Sequence, residues 1–189
     1  ITSSRHNPLI DPVLAVWSWE IPLYLFFGGV VAGMMVLAGL AMLRIAKGED
    51  SRSFFSLQTP LLAFMLLNAG MGALFLDLTH RLYVWRIYTT FQVTSPMSWG
   101  SWVLFLVYAV LLVSALIRLP DVWPWLGRRV PKLQQLSAAI TGHPGRMNAL
   151  GWTNIVLGVA IGIYTGILLN TMVARPLWNS AILGPLFLF

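Results

Sequence analysis

Cysteine is absent from the 189 residues. That absence excludes disulfides, iron–sulfur ligation by this chain and thiol chemistry together. Histidine is nearly absent. His6, His80 and His143 are too few and too scattered to supply the paired axial ligands of a haem inside a helical bundle. Charge is scarce as well: only 10% of residues are Asp, Glu, Lys or Arg, against about 25% in a soluble domain. With 58% hydrophobic residues, this deficit exceeds what a rich core explains, so the solvent around most of the chain must be lipid. The net charge of +6 then reads as basic loops on the cytoplasmic side of a membrane, and no nucleic-acid partner is expected. No initiator methionine and no short apolar run with a small-residue cleavage site open the chain, so no secretory signal is expected.

What is present is a set of long apolar runs. They predict an all-α integral membrane protein, a polytopic transmembrane helical bundle forming a single domain over 1–189. Full spans are read over 21–46, 57–78, 99–119 and 149–174, each long enough to cross the hydrocarbon at about 1.5 Å per residue. A fifth begins near 177 and stops at 189, short of the roughly 20 residues a span needs. The chain is therefore expected to end inside a helix and to belong to a longer protein. Pro22 and Pro60 fall in first turns, where a missing N–H is harmless. Gly29 with Gly33, and Gly158 with Gly162 and Gly166, form small-residue stripes that allow close helix approach in lipid.

Orientation follows from Lys and Arg. Arg44, Lys47, Arg52, Arg118, Arg128, Arg129, Lys132 and Arg146 are read into loops on one side, and Arg5, Arg81, Arg86 and Arg175 into the other. The positive-inside rule puts the larger group in the cytoplasm and the N-terminus outside. The segment 80–97 mixes Tyr83, Trp85, Tyr88 and Phe91 with Arg81 and Arg86, which suits the headgroup level. The stretch 120–148 is the long polar loop, with a short helix expected over 132–140.

Ionisable residues within or at the ends of spans are costly in lipid and need a reason. Here they gather on one side. Glu20 opens the first span and Asp77 closes the second; His80 and Arg81 follow Asp77 on the same face of a continuing helix. Asn170 and Arg175 end the fourth span, and Ser98, Trp99, Ser101 and Trp102 open the third. A polar cavity on the outer side accommodates this asymmetry. A quinone headgroup would suit it: two carbonyls that become hydroxyls on reduction need donors, acceptors and a titratable group that exchanges protons near neutral pH. Asp77 beside His80 supplies such a pair. Glu20 is a further proton exchanger, Tyr24 and Tyr164 are phenolic donors, and Trp99 and Trp102 are flat walls. Blander readings stand beside these. Asp77 with Arg81 also fits a structural ion pair, His80 a solvated interfacial residue, Glu20 a charge favoured by the helix dipole, and the Trp residues an aromatic belt. The residues alone reach a one-sided polar pocket, with a quinone one candidate ligand among several.

Three strings are more specific. WSWEIPLYLFFGGVVAG (17–33), DLTHRLYVWRIYTTFQVTSPMSWGSW (77–102) and YTGILLNTMVARPLWN (164–179) resemble the polysulfide reductase membrane-subunit family, of NrfD/PsrC type. The resemblance implies a bacterial inner-membrane subunit of eight or nine helices, arranged largely as two four-helix bundles. It implies no haem or iron–sulfur cluster in this chain and a non-covalently bound quinone or quinol (menaquinone or ubiquinone) handled in the first bundle. It further implies an outer-face ferredoxin-like iron–sulfur subunit serving a molybdopterin or multihaem cytochrome subunit. Asp77 matches the family's acidic position at the end of its second helix. Glu20 in WEIP and Arg175 in RPLWN match recurrent positions. His80 stands where many members have a Gly-Arg-Pro type sequence, a departure from the pattern. The expected function is a quinone-reactive membrane anchor of a respiratory oxidoreductase complex, passing electrons between an iron–sulfur partner and the quinone pool. The alternatives are a purely structural anchor and a proton-translocating bundle. The latter is poorly served, since Asn68 is the clear polar residue in mid-span.

Overall fold

The computed structural model describes residues 19–49, 57–78, 81–83, 85–89 and 91–170. Among these every regular element is helical: α1 Glu20–Ala46, α2 Thr59–Asp77, a 3₁₀ turn Arg81–Tyr83, α3 Arg86–Thr89, α4 Pro96–Val122, α5 Pro124–Arg129, α6 Pro131–Thr141 and α7 Pro144–Asn170. Four of them, α1, α2, α4 and α7, are long and apolar enough to cross a membrane. At 27 residues, α1, α4 and α7 each reach about 40 Å. The expected fifth span, 177–189, lies outside the described residues.

Proline sets many of the boundaries. Pro96, Pro124 and Pro131 occupy the first helical position of α4, α5 and α6 and Pro60 the second of α2, and Pro144 opens α7. At those positions the missing N–H has no intrahelical partner to lose, and the fixed φ already suits a helix. The stretch 120–148, read as a polar loop with one short helix over 132–140, consequently holds two short helices, α5 and α6, between the end of α4 and the start of α7. Helix α1 ends by a different device. Gly48 takes φ +86°, open to glycine without penalty, and its N–H donates to the Ile45 carbonyl at 2.9 Å.

The four long helices form a ring in the order α1, α2, α4, α7, with the heaviest packing between α1 and α7. Their shared core is Val31, Ala32 and Met35 from α1, Ala63 and Leu67 from α2, Leu104, Val107 and Leu111 from α4, and Ile161 from α7. Cross-helix partners fix an antiparallel register. Phe27 and Tyr24 of α1 face Gly70 of α2, Tyr108 of α4 reaches Asn68 of α2 at 3.5 Å, and Tyr164 of α7 lies on Gly100 of α4. Extending that register gathers the start of α1, the end of α2, the start of α4 and the end of α7 at one rim, called the first. The second rim carries α5 and α6.

Hydrophobicity alone does not hold helices together in lipid, so close approach matters. A Cβ on Gly158 would lie 2.8 Å from the Ala32 carbonyl oxygen, and one on Gly151 would lie 3.0 Å from that of Gly39. These glycines bring α1 and α7 into backbone contact. The Gly158 stripe therefore packs as expected, with Gly162 and Gly166 also buried. The Gly29/Gly33 stripe does not: among the described residues nothing lies within 4 Å of a Cβ built on either. On α1 it is Gly39, off that stripe, that makes the close contact.

Candidate functional site

Glu20 is the first residue of α1 and Asp77 the last of α2, both half-buried at the first rim. Arg81 opens the 3₁₀ turn and Asn170 closes α7, at the same rim. His80 and Arg175 lie outside the described residues. One local expectation fails. Leu78, with φ −66° and ψ 120°, is extended, so α2 ends at Asp77 and does not continue to place Asp77, His80 and Arg81 on one helical face. The chain turns instead along the rim, where Leu82, Tyr83 and Trp85 are exposed. That is the expected habit of an interfacial segment, whose aromatic and cationic side chains are both satisfied at headgroup level.

The remaining candidates are not gathered around one cavity. Tyr24 lines a gap at the centre of the ring with Gly70, Leu104, Ile161 and Thr165; its volume is about 10 Å³, room for roughly one water. Trp99 and Tyr164 line a different space on the flank between α4 and α7. This cleft of about 450 Å³ is bounded also by Val93, Thr94, Val103, Ala160, Ile163 and Ile167. Its size falls within the range of about 300–1,000 Å³ usual for small-molecule sites. Neither Glu20 nor Asp77 lines either space.

The cleft's two polar-tipped aromatics have distinct supports. The Trp99 indole N–H donates to the Val93 carbonyl at 2.7 Å. That bond fixes the ring plane and occupies its donor, so Trp99 offers the cleft a flat face. Phe91 meets Trp99 edge-on at 5.7 Å and Trp102 at 6.3 Å, and Trp102 meets Phe105 at 6.2 Å. Such edge-to-face contacts are a favoured aromatic geometry. Trp102 is thus linked to the Trp99 wall through Phe91 and does not itself line the cleft. Tyr164 lies against Gly100, where any Cβ would collide with its ring. Gly100 is the reason that ring fits between α4 and α7.

Ser98 and Ser101, also on the first rim, serve the backbone. The Gln92 N–H donates to Ser98 Oγ at 3.0 Å, and Ser101 Oγ donates to the Ser98 carbonyl at 2.8 Å.

Two polar residues to which the sequence reading gives no inward-facing role are buried. Arg118, assigned there to a loop, lies inside α4, which runs on to Val122, and is only 2% exposed. Its Nη1 donates to Asp121 Oδ2 at 3.2 Å. The signal was present in the spacing: Val107, Leu111, Ser114 and Arg118 recur at intervals of three and four, and all are buried. The second is Asn154 of α7, fully buried, which donates to Ser114 Oγ of α4 at 3.0 Å and to the Leu150 carbonyl at 2.9 Å. No spacing rule links residues 40 positions apart.

Comparisons with known proteins identify the family. The family model described as Polysulphide reductase, NrfD matches residues 6–189. The polysulfide reductase polypeptide designated C, from Wolinella succinogenes, is 31% identical over 179 residues, covering 92% of this chain and 53% of that protein. Protein NrfD of Escherichia coli K12 is 31% identical over 176 residues, covering 92% of this chain and 55% of that protein. The chain therefore spans about half the length of the curated relatives it matches. No solved structure gives a significant match. A family match over nearly the whole chain, the rim strings that resemble the same family, and a bundle of membrane-crossing helices agree: the chain belongs to the polysulphide reductase, NrfD family.

Proposed function

We propose that this chain is the quinone-binding part of a membrane anchor subunit in a respiratory oxidoreductase complex, and that the headgroup of a quinone or quinol lies in the cleft between α4 and α7. The observation that carries this reading is the cleft itself: about 450 Å³, bounded mostly by apolar side chains, with Trp99 and Tyr164 both among its lining. A flat, apolar redox lipid needs that combination, because its ring is held by dispersion and stacking while its oxygens need a few polar groups. The central gap beside Tyr24, at about 10 Å³, cannot admit such a ring.

Under this reading Tyr164 hydrogen-bonds a quinone oxygen. Asp77 and Glu20, at the same rim but off the cleft lining, relay protons between that oxygen and the outer water, and His80 and Arg81, which follow Asp77 in the sequence, are proposed to share that role. Asn170 and Arg175, which follow Tyr164 along the sequence, are proposed as further polar contacts of the quinone. Trp102 supports the Trp99 wall through Phe91. The names of the relatives, a polysulfide reductase component and NrfD, support a subunit role in the bacterial inner membrane, with the N-terminus outside as the cation distribution suggests. The partners would then be a ferredoxin-like iron–sulfur subunit and a molybdopterin or multihaem cytochrome subunit on the outer face. Menaquinone or ubiquinone would be the bound species, and its two-electron, two-proton chemistry belongs to the quinone.

The test uses the assembled complex in native membranes, with decylubiquinol turnover measured beside an artificial electron donor that bypasses the quinone. Tyr164→Phe is expected to lower quinol-linked turnover by about tenfold or more, at the low end of or below what a positioned proton donor contributes. Asp77→Asn is expected to abolish it, with both variants keeping artificial-donor activity. Full quinol-linked turnover in both variants would leave a purely structural anchor as the function.

A further inference from the structure

We propose that the second rim holds a binding site for the phosphate of an anionic phospholipid, in the cleft formed by the last turn of α4 with α5 and α6. This cleft, of about 310 Å³, is lined by Pro120, Pro124, Gly127, Arg128 and Gln134. It exists because α5 folds back beneath α4: a Cβ on Gly127 would lie 3.2 Å from Pro120 Cβ. The lining joins an apolar floor to one guanidinium and one carboxamide. A guanidinium presents paired donors matched to phosphate oxygens, and the amide adds another.

Local charge favours an anion. Between residues 118 and 146 the cations are Arg118, Arg128, Arg129, Lys132 and Arg146, and the one acid is Asp121. Asp121 is already engaged by buried Arg118 at 3.2 Å. Arg128, Arg129 and Lys132 make no ion pair among the described residues. An anion in this cleft therefore meets cations that no nearby carboxylate offsets.

Three observations commit the occupant to a lipid. Trp123 and Trp125, on either side of Pro124, are 42% and 55% exposed, the habit of indoles at headgroup level. Leu112, Leu116 and Pro120 recur at intervals of four along α4, so one stripe of that helix runs from the membrane-crossing span into the cleft. Leu112 on that stripe is 44% exposed. Acyl chains lying along this stripe would bring the phosphate to Arg128. Basic pockets beside membrane-crossing helices are suited to anionic headgroups in general.

The experiment takes the full-length protein in detergent and measures retained lipid by native mass spectrometry after exposure to phosphatidylcholine micelles with or without phosphatidylglycerol. The unaltered protein is expected to retain phosphatidylglycerol over phosphatidylcholine, and Arg128→Gln to weaken that retention about fivefold, the effect of one cation near a headgroup. Arg128→Lys should keep most of it. Arg44→Gln, which alters a cation outside the cleft, should leave it unchanged. Equal retention of the two lipids, or an Arg128→Gln variant that binds as the unaltered protein does, overturns the proposal. Displacement of the lipid by inorganic phosphate also overturns it, making this a general anion site. Should Arg128→Gln not fold, the lipid preference of the unaltered protein and of Gln134→Leu decides the matter, and unchanged retention in Gln134→Leu counts against it.

Discussion

The contact between α1 and α7 offers an internal comparison, because the same substitution on one helix should have opposite signs at two glycines. A Cβ on Gly39 would lie 2.6 Å from the Gly151 carbonyl oxygen, 2.7 Å from Ile155 Cγ1 and 3.2 Å from the Ile155 backbone nitrogen. Two of these three neighbours are backbone and cannot rotate away, so Gly39→Ala must push the helices apart. Forcing an extra carbon into a packed site costs about 1–3 kcal/mol. Against this, alanine is favoured over glycine in a helix interior by about 0.5–1 kcal/mol. The net expectation for Gly39→Ala is a loss of roughly 0–2.5 kcal/mol, centred near 1 kcal/mol. At Gly33 nothing among the described residues lies within 4 Å of the added carbon, leaving the helix preference alone, a gain of about 0.5–1 kcal/mol. Unfolding of the full-length protein by sodium dodecyl sulfate from dodecyl maltoside micelles, followed by circular dichroism, gives both values on one scale. Equal stability of the two variants would refute the assignment of Gly39 as the residue that sets the approach of α1 to α7. A Gly33→Ala variant less stable than Gly39→Ala would refute it more strongly.

Gly100→Ala is expected to displace the Tyr164 ring, which occupies the space a Cβ would need. Quinol-linked activity of the complex should fall with Tyr164 still present, and Gly100→Ala combined with Tyr164→Phe should be no worse than Tyr164→Phe alone; additive losses would show that Gly100 acts by another route. At the second rim, Asp121→Asn removes the charge beside a guanidinium only 2% exposed, whereas Arg118→Met removes the buried charge itself and leaves Asp121 with 46% of its side chain exposed. The first variant should therefore be the less stable in the same detergent titration, by about 1–3 kcal/mol, since it strips a carboxylate from beside a buried guanidinium whereas the second leaves behind a half-solvated carboxylate. The reverse order would show that Asp121 does little for Arg118.

Much of this protein was determined by local chemistry and could be read in order along the chain. Apolar runs of sufficient length in a chain poor in charge leave few options in lipid, where every backbone polar group must be bonded within its own segment; helices follow. Proline at first-turn positions and glycine at the end of α1 mark boundaries by the same local logic, and the short helix expected over 132–140 is α6, Pro131–Thr141. The family was legible in the rim strings. Side-chain pairing across helices was not legible. Composition put the polar candidates at one rim, but helix rotation about its own axis decides which of them share a space. That rotation set Tyr24 facing a gap for one water, joined Trp99 and Tyr164 around a cleft, and left Glu20 and Asp77 off both. It also turned Arg118 inward, made Gly39 rather than Gly33 the point of contact, and paired Asn154 with Ser114. Each of these rests on distances between residues remote in sequence, fixed only when four helices settle against one another, because packing and not hydrophobic segregation is what joins helices in a membrane.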